Sequence, residues 1–401
     1  MNIVQVATGF IPVSPSVTGG AEKYIHYLST ALQRLGHQVT VIDMPAGPAS
    51  LSSYRQLEVP LPWRYDFNLV AHAVRGLLFG RAVARQLERL IQAGEVDVVN
   101  FHSQFTGVTG IPIARRHGVP TVFTMHNPLW SDPAACRSRL QRAKFWLERR
   151  AEAKADAVIG LSQVVTDHRA RYFDLAPVKT AVVPVGVDDF WFKSRPISAL
   201  VKERYAPTGE PLILLVGRIA PYKNQLALAQ ALPRLRAAVP NACIVFVGPQ
   251  DSLPYLQRVR AAVAEARAEA HVVFAGAVPL EELTQIYGLA RVFVLPSLQE
   301  NCPQALLEAM AQGKAIVASA IPPLREMLPE GTAELVPPLD HEALAQTLIR
   351  LLRDDCAREE LGARARQRAY DVYRWEKVAG RVVEVYHPPT RRPAEVARGA
   401  R

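Results

Sequence analysis

Apolar residues recur in two spacings along this chain, and both spacings occur in each half. Short runs of consecutive apolar residues, typical of buried strands, alternate with stretches in which apolar residues recur every three or four positions, as on one face of a helix. The run 3–7, for example, precedes a helical stretch that carries Tyr24, Leu28, Ala31 and Leu32 on one face. This alternation predicts βαβ units and parallel sheets.

The pattern predicts five strands in each half. The predicted strands are 3–7, 38–42, 96–99, 121–124 and 157–159, then 212–216, 243–247, 272–274, 292–295 and 315–317. A helix is predicted over 21–35, where Gly36 ends it, and another over 303–312. No period of 20 to 50 residues repeats, so we expect two doubly wound domains and no solenoid.

The length of 401 residues also favours two domains, because it exceeds the size of a usual single core. The turn-rich segment 183–189 separates the two halves. We therefore predict an N-terminal domain over 1–184, a linker over 185–195, a C-terminal domain over 196–370 and a last helix over 371–387. The Pro- and Arg-rich tail 388–401 is predicted to be disordered.

The composition favours a protein of the cytoplasm. Hydrophobic residues make up 49% and charged residues 21%, and no apolar run reaches the ~20 residues that span a bilayer. The first residues lack a basic leader and are predicted to form a strand, so we expect no secretory signal. Four cysteines lie far apart without metal-binding spacing, which fits a reducing compartment.

The net charge of +10 is concentrated in the first half: residues 1–195 carry a surplus of +7 and the remainder +3. One predicted helix is crowded with cations and also carries apolar residues. Its cations are Arg137, Arg139, Arg142, Lys144, Arg149, Arg150 and Lys154, and its apolar residues are Leu140, Ala143, Phe145, Trp146 and Leu147. Such a helix could contact anionic lipid headgroups or an anionic acceptor. The alternative is a solvated helix whose apolar residues pack inward. No nucleic-acid-binding module occurs, so nucleic acid is not a predicted partner.

Two carboxylates, Glu300 and Glu308, lie eight positions apart across a predicted helix start. Pro303 suits the first helical position, which places Glu300 in the preceding loop and Glu308 in the second turn. The first backbone amides of that helix would favour a bound phosphate. The alternative is that both carboxylates are ordinary surface residues.

Two cations flank the turn after the predicted strand 212–216. Arg218 offers a two-pronged donor and Lys223 a point charge, and together they could bind a diphosphate. Gly19 and Gly20 precede the first helix, where a phosphate or a sugar could approach backbone amides. Solvated loop cations and a plain turn are the respective alternatives.

His102 and His126 each follow a predicted strand, where a histidine can donate to substrate hydroxyls or have a purely structural role. Several motifs are absent from the sequence. There is no Asp-x-Asp, no complete P-loop around Gly313 and Lys314, no G-x-G-x-x-G after the first strand and no G-x-S-x-G. These absences argue against a nicotinamide dehydrogenase and leave diphosphate neutralisation to protein cations and helix dipoles.

Taken together and in this order, these segments resemble glycosyltransferase family 4, and the resemblance covers nearly the whole chain. The matching segments are Gly19-Gly20-Ala21-Glu22, Gly36-His37-Gln38-Val39, Thr124-Met125-His126-Asn127, Leu147-Glu148-Arg149, Ala155-Asp156, Gly186-Val187-Asp188, Val216-Gly217-Arg218 with Lys223, Phe274-Ala275-Gly276, Pro296-Ser297 and the block from Glu300 to Ala311.

The resemblance implies an α/β protein with the GT-B fold, in which two doubly wound Rossmann-like domains face each other across a cleft. It implies retaining, metal-independent transfer of a hexose-type sugar from a nucleotide diphosphate sugar to a hydroxyl acceptor, without a permanently bound cofactor. It also implies that the last helix crosses back onto the N-terminal domain.

The resemblance implies residue roles as well. Arg218 and Lys223 would hold the diphosphate, Glu300 and His126 would face the transferred sugar, and Glu308 would bind the nucleotide ribose. The remaining donor-binding residues would be Gly19, Gly20, Gly217, Leu306 and Leu307. The acceptor side would include His102, Arg149 and Arg150, and no residue would bind a metal.

One segment departs from the family pattern. Many relatives carry Gly-Gly-x-Pro-Glu where this chain has Ser319-Ala320-Ile321-Pro322-Pro323-Leu324-Arg325-Glu326. The departure leaves the donor base open between UDP, GDP and ADP. The acceptor is left open between a glycan, a lipid-linked molecule and a small molecule, and the protein could contact the inner face of an anionic membrane peripherally. A noncatalytic nucleotide-sugar-binding protein and a same-fold epimerase or phosphorylase are the alternative functions.

Overall fold

A computed structural model describes residues 1–14, 19–45, 52–60, 69–126, 139–173 and 180–387. The chain divides into two compact units. Unit 1 consists of Met1–Pro184 together with the chain from Val378 onward, and unit 2 consists of Val185–Lys377. The predicted disordered tail 388–401 lies outside the described residues, as does Arg137.

Unit 1 contains a seven-stranded parallel sheet with the order β3-β2-β1-β4-β5-β6-β7. Its strands are β1 Asn2–Val6, β2 Gln38–Asp43, β3 Arg55–Glu58, β4 Val98–Phe101, β5 Thr121–Met125, β6 Ala157–Gly160 and β7 Thr180–Val182. Its first five helices are α1 Gly20–Arg34, α2 Leu69–Gln92, α3 Gln104–Arg116, α4 Arg139–Lys154 and α5 Gln163–Phe173. The order reverses direction between β1 and β4, as in a doubly wound fold.

Unit 2 contains a six-stranded parallel sheet with the order β10-β9-β8-β11-β12-β13. Its strands are β8 Leu212–Val216, β9 Cys243–Val247, β10 Val272–Gly276, β11 Ala290–Leu295, β12 Ala315–Ser319 and β13 Glu334–Val336. Its helices are α6 Ala199–Tyr205, α7 Gln225–Gln230, α8 Leu232–Ala238, α9 Leu253–Glu265, α10 Leu280–Leu289, α11 Gln304–Ala311, α12 Pro322–Met327, α13 His341–Arg353 and α14 Asp355–Arg368. The strand order reverses between β8 and β11.

The core of each unit is formed by the apolar strands and the helix faces packed on them. In unit 1, Val4, Val6, Phe101 and Phe123 are almost completely buried. In unit 2, residues of β8, β9, β11 and β12 form the equivalent cluster. Each fully buried aliphatic or aromatic side chain contributes about 1.5–3 kcal/mol, so the apolar runs that predict the strands also supply the stability of the sheets.

The fourth strand lies two residues further along the chain than predicted. The predicted strand 96–99 ends just before Asn100, whereas the observed strand pairs Asn100 with Gln5 of β1 and ends at Phe101. Asn100 is buried, and its side chain is hydrogen-bonded. The three strands missed by the prediction are β3, β7 and β13. They are edge strands that bury little and carry no long apolar run.

The final helix, α15 Trp375–Tyr386, begins later than the predicted residue 371. The segment before it, Ala369–Tyr373, forms a π-helical turn, and Arg374 is extended. Arg374 pairs with Val187 in a parallel bridge and binds the Asp189 carboxylate through two nitrogens at 2.7 and 3.0 Å. These contacts hold the chain extended, so the helix begins later.

Among the described residues, no helix combines the length and apolarity that a membrane crossing needs.

We predict that Gly186→Ala destabilises unit 2. A Cβ atom at Gly186 would lie 2.4 Å from the indole ring of Trp375, and Trp375 is buried and has little room to move. Overpacking of this kind typically costs about 1–3 kcal/mol. The measurement is the free energy of unfolding in urea, compared with wild type.

Gly380→Ala is the matched control, because it adds the same methyl group within α15 where, among the described residues, no atom outside the backbone of that helix lies within 4 Å of the added Cβ. Removing a glycine from a helix should leave stability unchanged or raise it by about 0.5–1 kcal/mol. Equal stability of Gly186→Ala and wild type would contradict the packing interpretation.

Candidate active site

The reversal of strand order in unit 2 brings two loops side by side. The loop after β8 carries Gly217, Arg218 and Lys223, and the loop after β11 carries Glu300. In parallel sheets, neighbouring loops diverge at such a point and leave a crevice outside the carboxyl ends of the strands. The geometry therefore places these predicted residues where a doubly wound fold binds ligands.

Lys223 and Glu300 form an ion pair across the two loops. Lys223 Nζ donates to Glu300 Oε1 at 2.6 Å, and the two side chains are only 15% and 8% exposed. The amide of Leu298 also donates to the Tyr222 carbonyl at 2.8 Å. A charge-assisted bond in a poorly solvated place is stronger than one at the surface, so this pair fixes the distance between the loops.

Asn224 holds three loops together. Its backbone has a left-handed conformation, with φ of 54°, which asparagine tolerates better than most residues. Its Nδ2 donates to the Pro296 carbonyl at 3.1 Å and to the Pro338 carbonyl at 2.9 Å. The loops after β8, β11 and β13 are thus cross-linked by one buried amide, which sequence reasoning missed.

Arg218 lies on a tightly packed turn, but its side chain is half exposed. A Cβ atom at Gly248 would lie 2.2 Å from the Gly217 carbonyl oxygen, so only glycine allows these two loops to approach so closely. The Arg218 side chain is 47% exposed, and its Nη1 lies 3.9 Å from Asp251 Oδ1. This contact is weak in water, which leaves the guanidinium available to a ligand.

Helix α11 begins one residue later than predicted. Pro303 is extended, with ψ of 122°, and serves as the N-cap, so Gln304 is the first helical residue. Within the part of the chain that the structure describes, no acceptor contacts the amides of Gln304 and Ala305. The side chains of Leu306 and Leu307 are completely buried. These leucines can therefore contact a donor only through their main chain.

Glu308 is positioned by Tyr287 of α10. The Tyr287 hydroxyl lies 3.1 Å from Glu308 Oε2 and 3.0 Å from the Ala305 carbonyl, so its one proton is shared between two acceptors. Burial and the nearby Glu308 charge raise the pKa of Tyr287 well above its usual value. Tyr287 therefore stays protonated and keeps the Glu308 carboxylate in place. Glu300 and Glu308 thus have separate partners.

In unit 1, Gly19 and Gly20 lie at the start of α1, with Gly19 as the N-cap. Among the described residues, no atom lies within 4 Å of where a Cβ on Gly20 would be. Glu22, in the first turn, accepts a hydrogen bond from Thr8 at 2.5 Å and is buried. Thr18, the residue before these glycines, lies outside the described residues.

His102 and His126 are in direct contact, which the sequence did not predict. His102 Nδ1 lies 2.8 Å from His126 Nε2, and His102 Nε2 lies 2.8 Å from Gln5 Oε1. Burial lowers the pKa of His102 well below its usual value and that of His126 to about 3. Both rings are consequently neutral near pH 7. His102 is a buried neighbour of His126, and its predicted place on the acceptor side gains no support from this geometry.

Helix α4 carries a basic stripe on its exposed face. We define the α4 basic stripe as the exposed residues of this helix, Arg139, Arg142, Ala143, Trp146, Arg149, Arg150, Ala153 and Lys154. It contains five cations and no carboxylate. Trp146 is 55% exposed, and the Arg150 guanidinium lies 5.2 Å from the centre of its ring.

The opposite face of α4 corrects the predicted helix. Lys144 belongs to the buried face together with Glu148 and Glu152, and burial lowers the pKa of Lys144. The prediction placed Lys144 among the surface cations. It also placed Trp146 among the apolar residues, which pack inward if the helix is an ordinary solvated one. The structure reverses both positions, because the acidic residues of the helix lie on its inner face.

The departing segment 319–326 forms the end of β12 and most of α12. Ser319 is buried, the amide of Ala320 donates to the Val336 carbonyl at 2.7 Å, and Arg325 Nε donates to the Ala320 carbonyl at 3.0 Å. Hydrogen bonds to β13 and within the segment therefore hold it in place.

Across the described ranges, no group of three or more His, Cys, Asp or Glu side chains is placed to hold a metal ion.

A buried acid that sequence reasoning missed lies at the end of β2. Asp43 Oδ2 accepts from the Val13 amide at 2.6 Å and from Gln56 at 3.3 Å. Its position after an apolar strand run was the only available indication in the sequence. Burial, reinforced by the Glu22 charge, raises the pKa of Asp43 to about 7. Asp43 therefore anchors the loop between β1 and α1 by accepting from the Val13 amide, and its carboxyl group retains a proton up to near neutral pH.

Comparisons with known proteins agree with these two units. The family model described as Glycosyltransferase Family 4 matches residues 18–189, and the model described as Glycosyl transferases group 1 matches residues 198–368. The two models together span most of the chain and correspond to unit 1 and unit 2 in turn.

Two curated relatives and one solved structure illustrate the similarity. Alpha-maltose-1-phosphate synthase of Mycolicibacterium smegmatis is 29% identical over 76% of this chain and 82% of its own length. The GDP-mannose-dependent alpha-(1-6)-phosphatidylinositol monomannoside mannosyltransferase of the same organism is 29% identical over 80% of this chain and 84% of its own. Sucrose-phosphate synthase from Thermosynechococcus elongatus superposes with a TM-score of 0.78 at 23% identity, over 96% of this chain and 98% of that structure. At that identity, the superposition establishes the fold.

We predict that Asp43 makes the protein less stable as pH rises. The folded state retains a proton up to about pH 7 that the unfolded chain releases near its ordinary pKa of 3.8. The free energy of unfolding should therefore fall as pH rises between these values, by roughly 2–3 kcal/mol from about pH 5 to about pH 8. In Asp43→Asn this contribution should vanish. Urea unfolding of both proteins across that range tests the prediction, and parallel pH profiles would contradict it.

Proposed function

Since the chain belongs to glycosyltransferase family 4 and has the GT-B fold, we propose that it transfers a hexose-type sugar from a nucleotide diphosphate sugar to a hydroxyl acceptor. In this reaction the bond between the sugar and the diphosphate breaks, and the acceptor oxygen bonds to the same sugar carbon. The acceptor proton leaves with the nucleoside diphosphate. We propose that transfer proceeds with retention of configuration and without a metal ion.

The observation that carries the proposal is the Lys223–Glu300 pair beside Arg218, at the strand-order reversal of unit 2. Negative charge builds up on the diphosphate as the sugar leaves, so fixed cations there stabilise the transition state more than the bound donor. Lys223 is pre-positioned by Glu300, whereas Arg218 is free to move onto the ligand. Together they supply the charge that a metal ion provides in other transferases.

The other predicted residues are assigned by their surroundings. Glu308, held by Tyr287, is proposed to accept hydrogen bonds from the nucleotide ribose. The main-chain amides at the start of α11, the glycine turn around Gly217 and the Gly19–Gly20 turn are proposed to contact the donor. His126 is proposed to contact the transferred sugar.

A noncatalytic nucleotide-sugar-binding protein is the second candidate, and the same fold could also serve an epimerase or a phosphorylase. These candidates differ in their products. A noncatalytic binder would neither transfer nor hydrolyse its ligand, an epimerase would release no nucleoside diphosphate, and a phosphorylase would need phosphate. The sequestered Lys223–Glu300 pair favours the transferase, because a pre-positioned cation is needed for leaving-group charge.

We predict that one nucleotide sugar stabilises the protein and is turned over through Lys223. Of UDP-glucose, GDP-mannose and ADP-glucose, the one that binds the folded state should raise the melting temperature. Lys223→Ala should lower the rate of donor hydrolysis or transfer by about 10²- to 10³-fold, because it removes a preorganised cation. Near-wild-type turnover would refute the assignment.

The matched control is Arg234→Ala. Arg234 forms an ion pair with Glu342 at 2.5 Å elsewhere in unit 2, with both side chains about half exposed. Its loss should leave turnover unchanged. Circular dichroism must show that Lys223→Ala is folded, because removing Lys223 leaves the Glu300 carboxylate without its cation in a poorly solvated place.

The α4 basic stripe suggests where an acceptor is presented. Five cations and an exposed tryptophan on one helix face form the pattern of a peripheral membrane helix, in which arginines contact anionic headgroups and the indole enters the interface. One curated relative has a phosphatidylinositol monomannoside as the acceptor in its name. We propose a lipid-linked acceptor. A carbohydrate, or an anionic acceptor of another kind, is the alternative.

We predict that the protein binds vesicles of phosphatidylcholine with phosphatidylglycerol through this stripe. Neutralising two cations in Arg149→Gln/Arg150→Gln should weaken binding about 10- to 30-fold, since each cation near an anionic surface contributes about 1 kcal/mol. Vesicle flotation at low salt measures the effect. Arg85→Gln/Arg89→Gln removes two exposed charges from α2 in the same unit and should bind as wild type does. Equal binding by both double variants, or no binding by wild type, would rule out the membrane interpretation.

A further inference from the structure

A chain of polar side chains leads from β5 through the final helix to His126. It contains Thr124 of β5, Asn100 of β4, Tyr386 of α15 and Gln5 of β1, followed by His102 and His126. Successive groups are 2.8 to 2.9 Å apart. All of these residues belong to unit 1, and all except the partly exposed His126 are buried.

The hydroxyl proton of Tyr386 fixes the direction of this chain. In the amide orientations of the structure, the Tyr386 oxygen faces Nδ2 of Asn100 and Nε2 of Gln5. Both are donors, and no other partner of this hydroxyl exists among the described residues. Its own proton would then be buried without an acceptor, which costs about 1–3 kcal/mol in proteins.

A half-turn of the Gln5 amide removes this defect. Its oxygen then accepts the Tyr386 proton, and its nitrogen donates to His102 Nε2. The two ends of a side-chain amide have nearly the same shape, so the half-turn requires no other movement. If the Asn100 amide were turned instead, the Thr124 hydroxyl proton would lose its only acceptor within the described residues. Only the turned Gln5 gives both hydroxyl protons an acceptor.

We propose that these hydrogen bonds run in one direction, from Thr124 through Asn100, Tyr386, Gln5 and His102 to His126, and fix both histidines as the Nδ1–H tautomer. His102 Nε2 accepts from Gln5, so its proton lies on Nδ1 and is donated to His126 Nε2. The proton of His126 must then lie on Nδ1. His102 and Tyr386 are thus positioning residues for His126.

This tautomer determines what His126 can do. Its Nδ1 has no partner in the described part of the chain, so its N–H is available to a ligand. This chain of hydrogen bonds, called the relay below, makes His126 a hydrogen-bond donor that can bind a sugar hydroxyl or a phosphate oxygen. The opposite direction would make it an acceptor, which could not bind a phosphate oxygen. The functional part of this inference rests on the proposed transferase function, whereas the tautomer itself does not.

Two further features keep the rings in this state. Burial depresses the pKa of both histidines, so neither ring gains a second proton that would erase the distinction between tautomers. Tyr24 packs against both rings edge to face, with centroid distances of 5.0 Å to His126 and 5.8 Å to His102. The rings are therefore unable to turn over freely.

The direct test is the protonation of the ring nitrogens in the wild-type protein without ligand. Long-range ¹H–¹⁵N correlation spectra of protein labelled with [¹⁵N]histidine distinguish a protonated from an unprotonated ring nitrogen. The peaks of His126 are assigned by their loss in His126→Asn. We expect a protonated Nδ1 and an unprotonated Nε2. A protonated Nε2 on His126 would overturn the proposal, whatever reaction the protein catalyses.

The role of Tyr386 is tested with Tyr386→Phe, which removes only the hydroxyl group. Gln5 then loses the proton that orients it, so His126 should show a mixture of tautomers. The turnover number with whichever of UDP-glucose, GDP-mannose and ADP-glucose the wild type accepts should fall about 3- to 10-fold, as for the loss of one hydrogen bond. Retention of a pure Nδ1–H tautomer in this variant would exclude Tyr386 as the orienting group.

Tyr54→Phe is the matched control. Tyr54 is another buried tyrosine of unit 1 whose hydroxyl contacts a histidine, His26 Nδ1 at 2.9 Å, and in the part of the chain that the structure describes no hydrogen bond joins it to His102 or His126. It should lower stability to a similar extent and leave the His126 spectrum unchanged. If Tyr386→Phe fails to fold, the wild-type spectrum decides alone. If wild type turns over none of the three donors, the proposed function fails, and the tautomer measurement still decides the relay.

Discussion

The reversal of strand order in each parallel sheet is the constraint on which the rest of this structure depends. Strands on either side of the reversal send their connections in opposite directions, so the loops at their carboxyl ends separate and leave a crevice. In unit 2 this occurs between β8 and β11, where Lys223 and Glu300 are joined at 2.6 Å. Residues 77 positions apart in sequence become neighbours because their strands are hydrogen-bonded to each other.

The same reversal in unit 1 produces a different chemistry. Between β1 and β4 the inner strands carry Gln5 and Asn100, which are polar residues in otherwise apolar runs. Buried polar groups require hydrogen-bond partners, and both of these residues have the Tyr386 hydroxyl of α15 as one of their partners. The last helix is therefore part of the polar core beneath His126 and contributes more than apolar packing to the N-terminal unit.

The charges of the protein fall into three environments with different consequences. Lys223 and Glu300 are largely shielded from water, so their attraction is strong and fixes a geometry. Arg218 is half exposed and only loosely paired, so it can move onto a ligand. The residues of the α4 basic stripe are exposed to solvent, whereas the carboxylates of that helix lie on its inner face. Net charge alone would not have distinguished these three cases.

The sequence by itself determined the two parallel α/β units, most strands within two residues, and the residue types after β8 and β11, because apolar periodicity and turn residues are local properties. It did not determine β3, β7 or β13, since edge strands need little burial, or the end of β4, since the partners of Asn100 are distant in sequence. Only the tertiary structure decided four features: the contact of His102 with His126, the cross-linking of three loops by Asn224, the inward-facing carboxylates of α4 and the proton retained by buried Asp43. Each of these features depends on side chains that are remote in sequence but packed together away from water, and no local spacing encodes such proximity.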